Sequence, residues 1–469
     1  MNPLQLLQYL AAIAAAYDYL PDHAKVSGGV CKLRTLLPEF PSGPMCRKDS
    51  TLFKEELDEP RHYNTTNYAW PLSTPCARSG TEEYCTYSDP DFANGHGITV
   101  LTTAPRAARL AQSRVFTDSS FLSPVGAVNT PSSPKWSVLH IPGKDLGLVA
   151  SQRLEPGDHI MSNTPSLMID YGIYEALGAE EIRYLQLEGV EHLPPRHRAG
   201  FMNLSTHDDP GIKTREDRVD KITLTNAFDI YKAGEAEEED EEEARTWFTV
   251  FGQISRMNHD CRPNADYYFD PVTLTHHIHA IAPIAPGEEI TISYIDNVQP
   301  LSARQSRIQG TWHFTCSCRQ CTQSTAQSRA SDSRIAQLIS VRSRLRSSSY
   351  PSFYPPYSSS SSSSSSSTSP EMAQLLISLT SQERLWGAPM AEAHALAALE
   401  RSGAGDAWSA IQEARCAEQW LLDAGRAADE REVRDMWELA GNPWAHWSWM
   451  GKAGGWEREG GEGDGEEMG

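Results

Sequence analysis

The chain has 469 residues, room for two or three domains. Its 62 Asp and Glu against 41 Lys and Arg leave a net charge of −21, a surface that disfavours generic nucleic-acid binding and suits basic peptides or proteins. Hydrophobic residues make up 39% of the chain, modest for a globular protein, and the Ser, Gly and acidic runs account for part of the deficit.

Leu4 to Ala16 is apolar and ends in small residues. Residues 1–16 therefore fit a secretory signal better than a transmembrane span, which points to the secretory pathway. Met1-Asn2-Pro3 carries no Lys or Arg, so a buried N-terminal helix, in a nuclear or cytoplasmic protein, is the alternative. No other run is long and apolar enough to cross a bilayer, so no transmembrane span is expected. Residues 17–134 form a cysteine-containing region with Cys31, Cys46, Cys76 and Cys85. These read as two disulfides behind a signal, or as four unpaired thiols without one. Within it Ile98 to Thr103 predicts a strand and Ala104 to Gln112 a short helix.

A new domain begins near Lys135. Trp136 to Ile141 predicts a strand, and Gly143-Lys144-Asp145-Leu146-Gly147-Leu148 turns the chain into another. Tyr174 to Leu193 predicts a helix, which Gly178 weakens. Glu235 to Glu243 is acidic at every position but Ala236. That run reads as a solvated loop, with attraction of a basic substrate as the lesser alternative.

Asn258-His259-Asp260-Cys261-Arg262-Pro263-Asn264-Ala265 follows. Ala265 to Phe269 predicts a strand, Asp270-Pro271 a turn, and Thr273 to Ile281 an alternating strand with Leu274, His276, Ile278 and Ala280 on one face. Pro286-Gly287-Glu288 turns the chain again. Glu289 to Tyr294 predicts a further strand whose period of two puts Ile290, Ile292 and Tyr294 together. From this pattern alone Tyr294 is a core tyrosine with one partner for its hydroxyl.

Cys316, Cys318 and Cys321 lie too close together for packing to explain. Structural zinc takes four ligands, so three thiols leave one position open, and the nearest remaining cysteine is Cys261. A redox dithiol is the alternative, but Cys318-Arg319-Gln320-Cys321 lacks a clear strand-helix setting. Residues 326–369 turn basic and serine-rich, with unbroken serine from Ser358 to Ser367, and predict a flexible linker. Ser369-Pro370-Glu371 then starts a helix. Residues 370–450 predict several amphipathic helices, with tetratricopeptide-like hairpins as one arrangement. Residues 451–469 are Gly- and Glu-rich and predict a disordered acidic tail.

The Asn258 motif, the strand ending at Tyr294 and the Cys-x-Cys-x-x-Cys close together resemble the core of the SET-domain protein lysine methyltransferases. The likeness is to a fungal-type branch similar to the SET and MYND proteins. No cysteine-rich finger interrupts the domain, so a MYND finger is not expected. The resemblance implies a mostly β SET fold of short strands with a knot-like crossing over 135–295, and a post-SET zinc segment over 296–325. An α-helical C-terminal region follows. It further implies zinc on Cys261, Cys316, Cys318 and Cys321, and S-adenosylmethionine lined by Asn258 and His259. Tyr294 becomes the active-site tyrosine, and Phe314 part of an aromatic wall. Thr225-Asn226-Ala227-Phe228 resembles the segment whose aromatic borders the substrate channel. Lys144 and Leu146 are also expected at the cofactor, although Asp145 stands where the family pattern has its second glycine. The implied function is methyl transfer to a lysine of a protein substrate, histones included, with no direct nucleic-acid binding. The rival is a catalytically inactive SET-fold scaffold that binds protein partners.

Overall fold

The computed structural model describes residues 69–118, 134–206, 211–230, 247–349, 369–426 and 431–450. The signal-like segment, Cys31, Cys46, the acidic run, the polyserine stretch and the tail lie outside them. The chain divides into a β-rich unit, essentially residues 30–328, and a helical unit from Arg329 onward.

Three sheets build the β-rich unit. The largest runs in the order Cys76–Ser79, Glu82–Asp89, Ile98–Thr103, Leu167–Asp170, Trp247–Val250, Ala227–Ile230. Its first hairpin sets Cys76 opposite Cys85, and the two form a disulfide. The Ile98–Thr103 strand has the bounds expected, and the helix after it spans Ala104–Leu110. Ile98, Val100 and Leu101 are all buried because this strand is covered on both faces. One cover is the helix Ala179–His192, whose Gly189 lets the helix backbone sit close. A Cβ there would stand 2.5 Å from Thr99 Cγ2, and Thr99 Oγ1 donates to the Gly189 carbonyl at 2.9 Å.

The helix expected from Tyr174 to Leu193 is in fact two, Ile173–Ala176 and Ala179–His192. Gly178 is extended between them and caps the second, its N–H donating to Glu181 Oε2 at 2.9 Å. The weak point in propensity became a break.

A four-stranded sheet orders Asn258–His259, Glu289–Ile292, Asp145–Ala150 and Trp136–Ile141, and a three-stranded one orders Ala265–Asp270, Thr275–Ala280 and His159–Asn163. The alternation expected from Thr273 to Ile281 holds between His276 and Ala280, where His276, Ile278 and Ala280 are buried and His277 and His279 half-buried, but not at its ends, where Thr275 and Ile281 on the opposite face are buried as well. Leu148, Ile160, Phe251, Ile278, Ile290 and Ile292 join these sheets in one apolar core.

In the helical unit, the expected linker is overturned over its first part, because Thr325–Ser349 is one long helix. Serine is only a middling helix former, but Ile335, Leu338, Val341 and Leu345 recur at helical spacing and are all buried. Ser331 Oγ and Arg334 Nε bond the buried Glu383 at 2.7 and 2.6 Å. Helices Pro370–Gln382, Ala388–Gly403, Ala407–Asp423 and Arg431–Gly441 follow. Ser369 caps the first, its Oγ accepting from Met372 N at 3.3 Å. Small residues let the next helices approach closely: Ala398, Ala410, Ala414 and Ala417 pack with Leu399 and Leu439. Among the described residues no helix is long and apolar enough to cross a membrane.

Candidate functional site

Two separated stretches meet at the centre of the β-rich unit. Asn258 and His259 pair in parallel with Thr291 and Ile292, and Asp260 N donates to the Ile292 carbonyl at 3.0 Å. Asn264 clamps the two together. Its Oδ1 accepts from Thr291 N at 2.9 Å, and its Nδ2 donates to the Glu289 carbonyl at 2.8 Å. Asp260 Oδ1 accepts from Arg262 N at 2.8 Å, which tightens the turn into Pro263.

Tyr294 lies beyond the strand expected to carry it. Pairing stops at Ile292, because the Tyr294 N–H leaves the ladder and donates to His259 Nδ1 at 3.1 Å. The Tyr294 hydroxyl donates to the Met257 carbonyl at 2.5 Å. Its pKa is raised, first by burial and then by the negative charge of Glu289, so it stays a phenol. The rings of His259 and Trp312 flank it at 5.4 and 5.2 Å.

His259 is buried. Burial holds its pKa down at about 4 against the opposing charge of Cys318, with Lys144 and Arg304 lowering it further. The ring is therefore neutral, and since Nδ1 accepts from Tyr294, the proton sits on Nε2. That nitrogen lies 3.3 Å from Cys261 Sγ. Both ring nitrogens thus serve the frame: one holds Tyr294, the other faces the cysteines.

Asn258 reaches the other way. Its Nδ2 donates to Glu289 Oε1 at 2.8 Å and to the Leu146 carbonyl at 3.2 Å, while Lys144 Nζ sits 2.7 Å from Glu289 Oε2. One carboxylate therefore gathers Lys144, Leu146 and Asn258, and sequence reasoning had not singled out Glu289. Alternation along the strand was the available signal, since Glu289 faces opposite Ile290. Gly147 makes the approach feasible, because a Cβ there would meet Asn258 Nδ2 and Ile141 Cγ1, each at 2.7 Å. Asp145 adopts φ 61°, the left-handed region. Asp is among the residues that tolerate this region, so the turn keeps its shape without a second glycine.

The cysteine cluster completes the site. The sulfur atoms of Cys261, Cys316, Cys318 and Cys321 all lie within 4.8 Å of one another, with Cys261 and Cys321 at 3.5 Å. Tetrahedral zinc with sulfur at about 2.3 Å would separate ligands by roughly 3.8 Å, so the donor set fits. The helix Leu301–Trp312 presents Arg304, Ile308 and Trp312 at four-residue spacing. Burial lowers the Arg304 pKa, but the charges of Cys261 and Cys321 outweigh it and raise it, which marks a guanidinium set against the sulfurs. Gln305 grips Cys316 from both sides, Oε1 accepting its N–H at 3.0 Å and Nε2 donating to its carbonyl at 2.8 Å. Phe314 packs against this cluster, and Trp312, beside Tyr294, donates from Nε1 to the Thr225 carbonyl at 3.3 Å. Phe228 packs against Phe251, Tyr267 and His276.

Comparison with known proteins now gives this arrangement a relation. Residues 145–295 match the SET domain family. The chain is 39% identical over 84 residues to N-lysine methyltransferase SMYD2 of Gallus gallus, covering 18% of this chain and 19% of that protein. It is 38% identical over 84 residues to SMYD2 of Homo sapiens, with the same coverage. It is 45% identical over 67 residues to a SET and MYND domain-containing protein of Dictyostelium discoideum, covering 14% of this chain and 19% of that one. The chain thus spans about a fifth of the length of the curated relatives it matches.

Proposed function

We propose that this chain, which carries a SET domain, is an S-adenosylmethionine-dependent protein lysine N-methyltransferase. The observation that carries the reading is the parallel pairing that sets Asn258 and His259 beside Tyr294, against four clustered thiols. Electron-rich groups converge there: the rings of Tyr294 and Trp312 and the carbonyl of Met257. Such a lining suits a sulfonium cation and a lysine side chain. S-adenosylmethionine, when bound, supplies the methyl group and its sulfonium leaving group.

The chain's own residues do the rest. The Tyr294 proton is committed to the Met257 carbonyl, so the phenol oxygen keeps lone pairs that accept from an amine N–H and fix its direction. Being a phenol with a raised pKa, Tyr294 positions and stabilises and does not take the proton as a strong base. The apolar surroundings disfavour an ammonium and favour the neutral amine that transfer needs. Lys144, Leu146 and Asn258, gathered on Glu289, form the cofactor side of the site. Zinc on Cys261, Cys316, Cys318 and Cys321 would be structural, joining the Asn258 motif to the segment after Trp312.

The net charge of −21 suits a basic protein substrate, histones among those to assay. For its compartment we propose the secretory pathway, on the signal-like residues 1–16, with the nucleus or cytoplasm as the alternative. Sequencing the N-terminus of native protein decides this: a start near Tyr17 supports the first, Met1 or Asn2 the second. Methyl transfer from labelled cofactor to histones and to a whole lysate tests the activity. Incorporation that depends on Tyr294 supports it, whereas a chain that binds no S-adenosylmethionine is the scaffold instead.

A further inference from the structure

A cavity of about 380 Å³ lies within the β-rich unit, beside the segment that leads into Asn258. Its size is that of a pocket for a small ligand, roughly 300–1,000 Å³. Four of its lining side chains are basic, Arg196, Arg256, His96 and His197, and none is acidic. In a chain of net charge −21, a cavity wall with this composition is not explained by the overall charge balance.

Three features make it a built site. Arg256 belongs to the turn running into Met257 and Asn258, and that turn is held by Asn163, whose Oδ1 accepts from Gln253 N at 3.2 Å and Ile254 N at 3.1 Å. The His96 and His197 rings lie 3.9 Å apart. Two buried ring nitrogens of the lining residues, the Trp136 Nε1 donor and His96 Nε2, have no hydrogen-bond partner among the described residues. Unpaired buried donors are costly and call for an explanation, and a ligand acceptor is one. Burial first, then His197 and Arg196, hold the His96 pKa down at about 4, so the ring is neutral. Asp145 is the one carboxylate that acts on Arg256, and it is not part of the cavity lining.

We infer that this cavity, whose lining shares no residue with the site around Tyr294, is a binding site for an anionic group of carboxylate or phosphate type. Arginine supplies the forked donors that both groups match, and the indole and imidazole nitrogens supply single donors. The anion has two sources: a free small molecule, or an acidic side chain of a bound protein. The inference stands whether or not the chain transfers methyl groups.

The full chain, titrated calorimetrically with citrate, inorganic phosphate and a glutamate-rich peptide, tests it. At least one of the three is expected to bind with one-to-one stoichiometry. Citrate or phosphate alone marks the free molecule as the source, and the peptide alone the side chain; either supports the site. Arg196→Gln is expected to weaken binding about tenfold or more, the scale of one charge-assisted contact. Arg196 is exposed on the helix Pro195–Met202, so this variant should fold, which circular dichroism verifies. Trp136→Phe keeps an aromatic ring but removes the indole donor and is expected to weaken binding severalfold. Arg153→Gln, at an exposed pair with Glu155, should leave it unchanged. Binding of none of the three probes, or equal binding by Arg196→Gln and the native chain, overturns the inference. So does a parallel loss of S-adenosylmethionine affinity in Arg196→Gln, because the cavity would then belong to the cofactor site.

Discussion

The Tyr294 hydroxyl donates to the Met257 carbonyl, one residue before Asn258, at 2.5 Å. This bond ties the end of one chain segment to the start of another 37 residues away in sequence, and it fixes where the phenol oxygen points. Removing only that hydroxyl tests whether its direction matters. Tyr294→Phe should keep the fold, because the ring still packs beside His259 and Trp312, while methyl transfer from labelled cofactor should fall about a hundredfold, the cost of one preorganised catalytic hydrogen bond. A change in the number of methyl groups added is an equally telling result. Unchanged rate and product would remove Tyr294 from the site.

Asn258→Ala should act differently. It breaks the bonds to Glu289 and the Leu146 carbonyl, so cofactor affinity should fall, by about tenfold for contacts of this type. Equilibrium binding of S-adenosylmethionine separates it from Tyr294→Phe, which should bind nearly as the native chain does.

Gly147→Ala is a probe at a distance from the chemistry. The added Cβ would stand 2.7 Å from Asn258 Nδ2 and from Ile141 Cγ1, closer than real contacts allow. Asn258 must shift, and cofactor affinity should drop toward that of Asn258→Ala. Native affinity in this variant would show that the pocket does not depend on that close approach.

Elemental analysis should find one zinc per chain, and Cys318→Ser should lose it. Because structural zinc contributes folding free energy directly, chelation should lower the thermal midpoint of the native chain and leave that of Cys318→Ser little changed. Absence of stoichiometric zinc in native protein would return the cluster to the redox reading.

The helix Arg215–Asn226 begins with a reciprocal cap, Thr214 Oγ1 accepting from Asp217 N and Asp217 Oδ2 accepting from Thr214 N, each at 3.1 Å. The Asp217 pKa is lowered, chiefly by the Lys213 N–H and also by Thr214 and Arg183. A carboxylate with a depressed folded pKa stabilises the fold above its unfolded value and loses that contribution as pH falls through the folded value. Asp217→Ala should therefore cost about 1 kcal/mol at neutral pH, the scale of a lost cap, and progressively less below about pH 4. Denaturant melts across that range check it, and a cost that does not change with pH would refute the charged cap.

What the residues by themselves determined is local or compositional. The strand Ile98–Thr103, the alternation of His276, Ile278 and Ala280, and the Ser369 cap were all legible, because each follows from periodicity or from one side chain acting on its nearest backbone. The clustering of Cys316, Cys318 and Cys321 was legible for the same reason, as was the likeness to the SET domain carried by three short motifs. The serine content of residues 326–349 masked a helix whose apolar stripe at Ile335, Leu338, Val341 and Leu345 was nonetheless present in the sequence. Tertiary structure alone decided the rest. Glu289 gathers Lys144 and Asn258 across 145 and 31 residues of chain. Tyr294 leaves its strand because His259 offers its N–H a better-placed acceptor. The Trp312 ring comes to lie beside Tyr294. Each outcome rests on which distant group lies within about 3 Å or one ring's width once the parallel pairing at Thr291 and Ile292 has formed. No local period encodes that pairing, since its stabilisation comes from contacts that exist only after the intervening chain has folded.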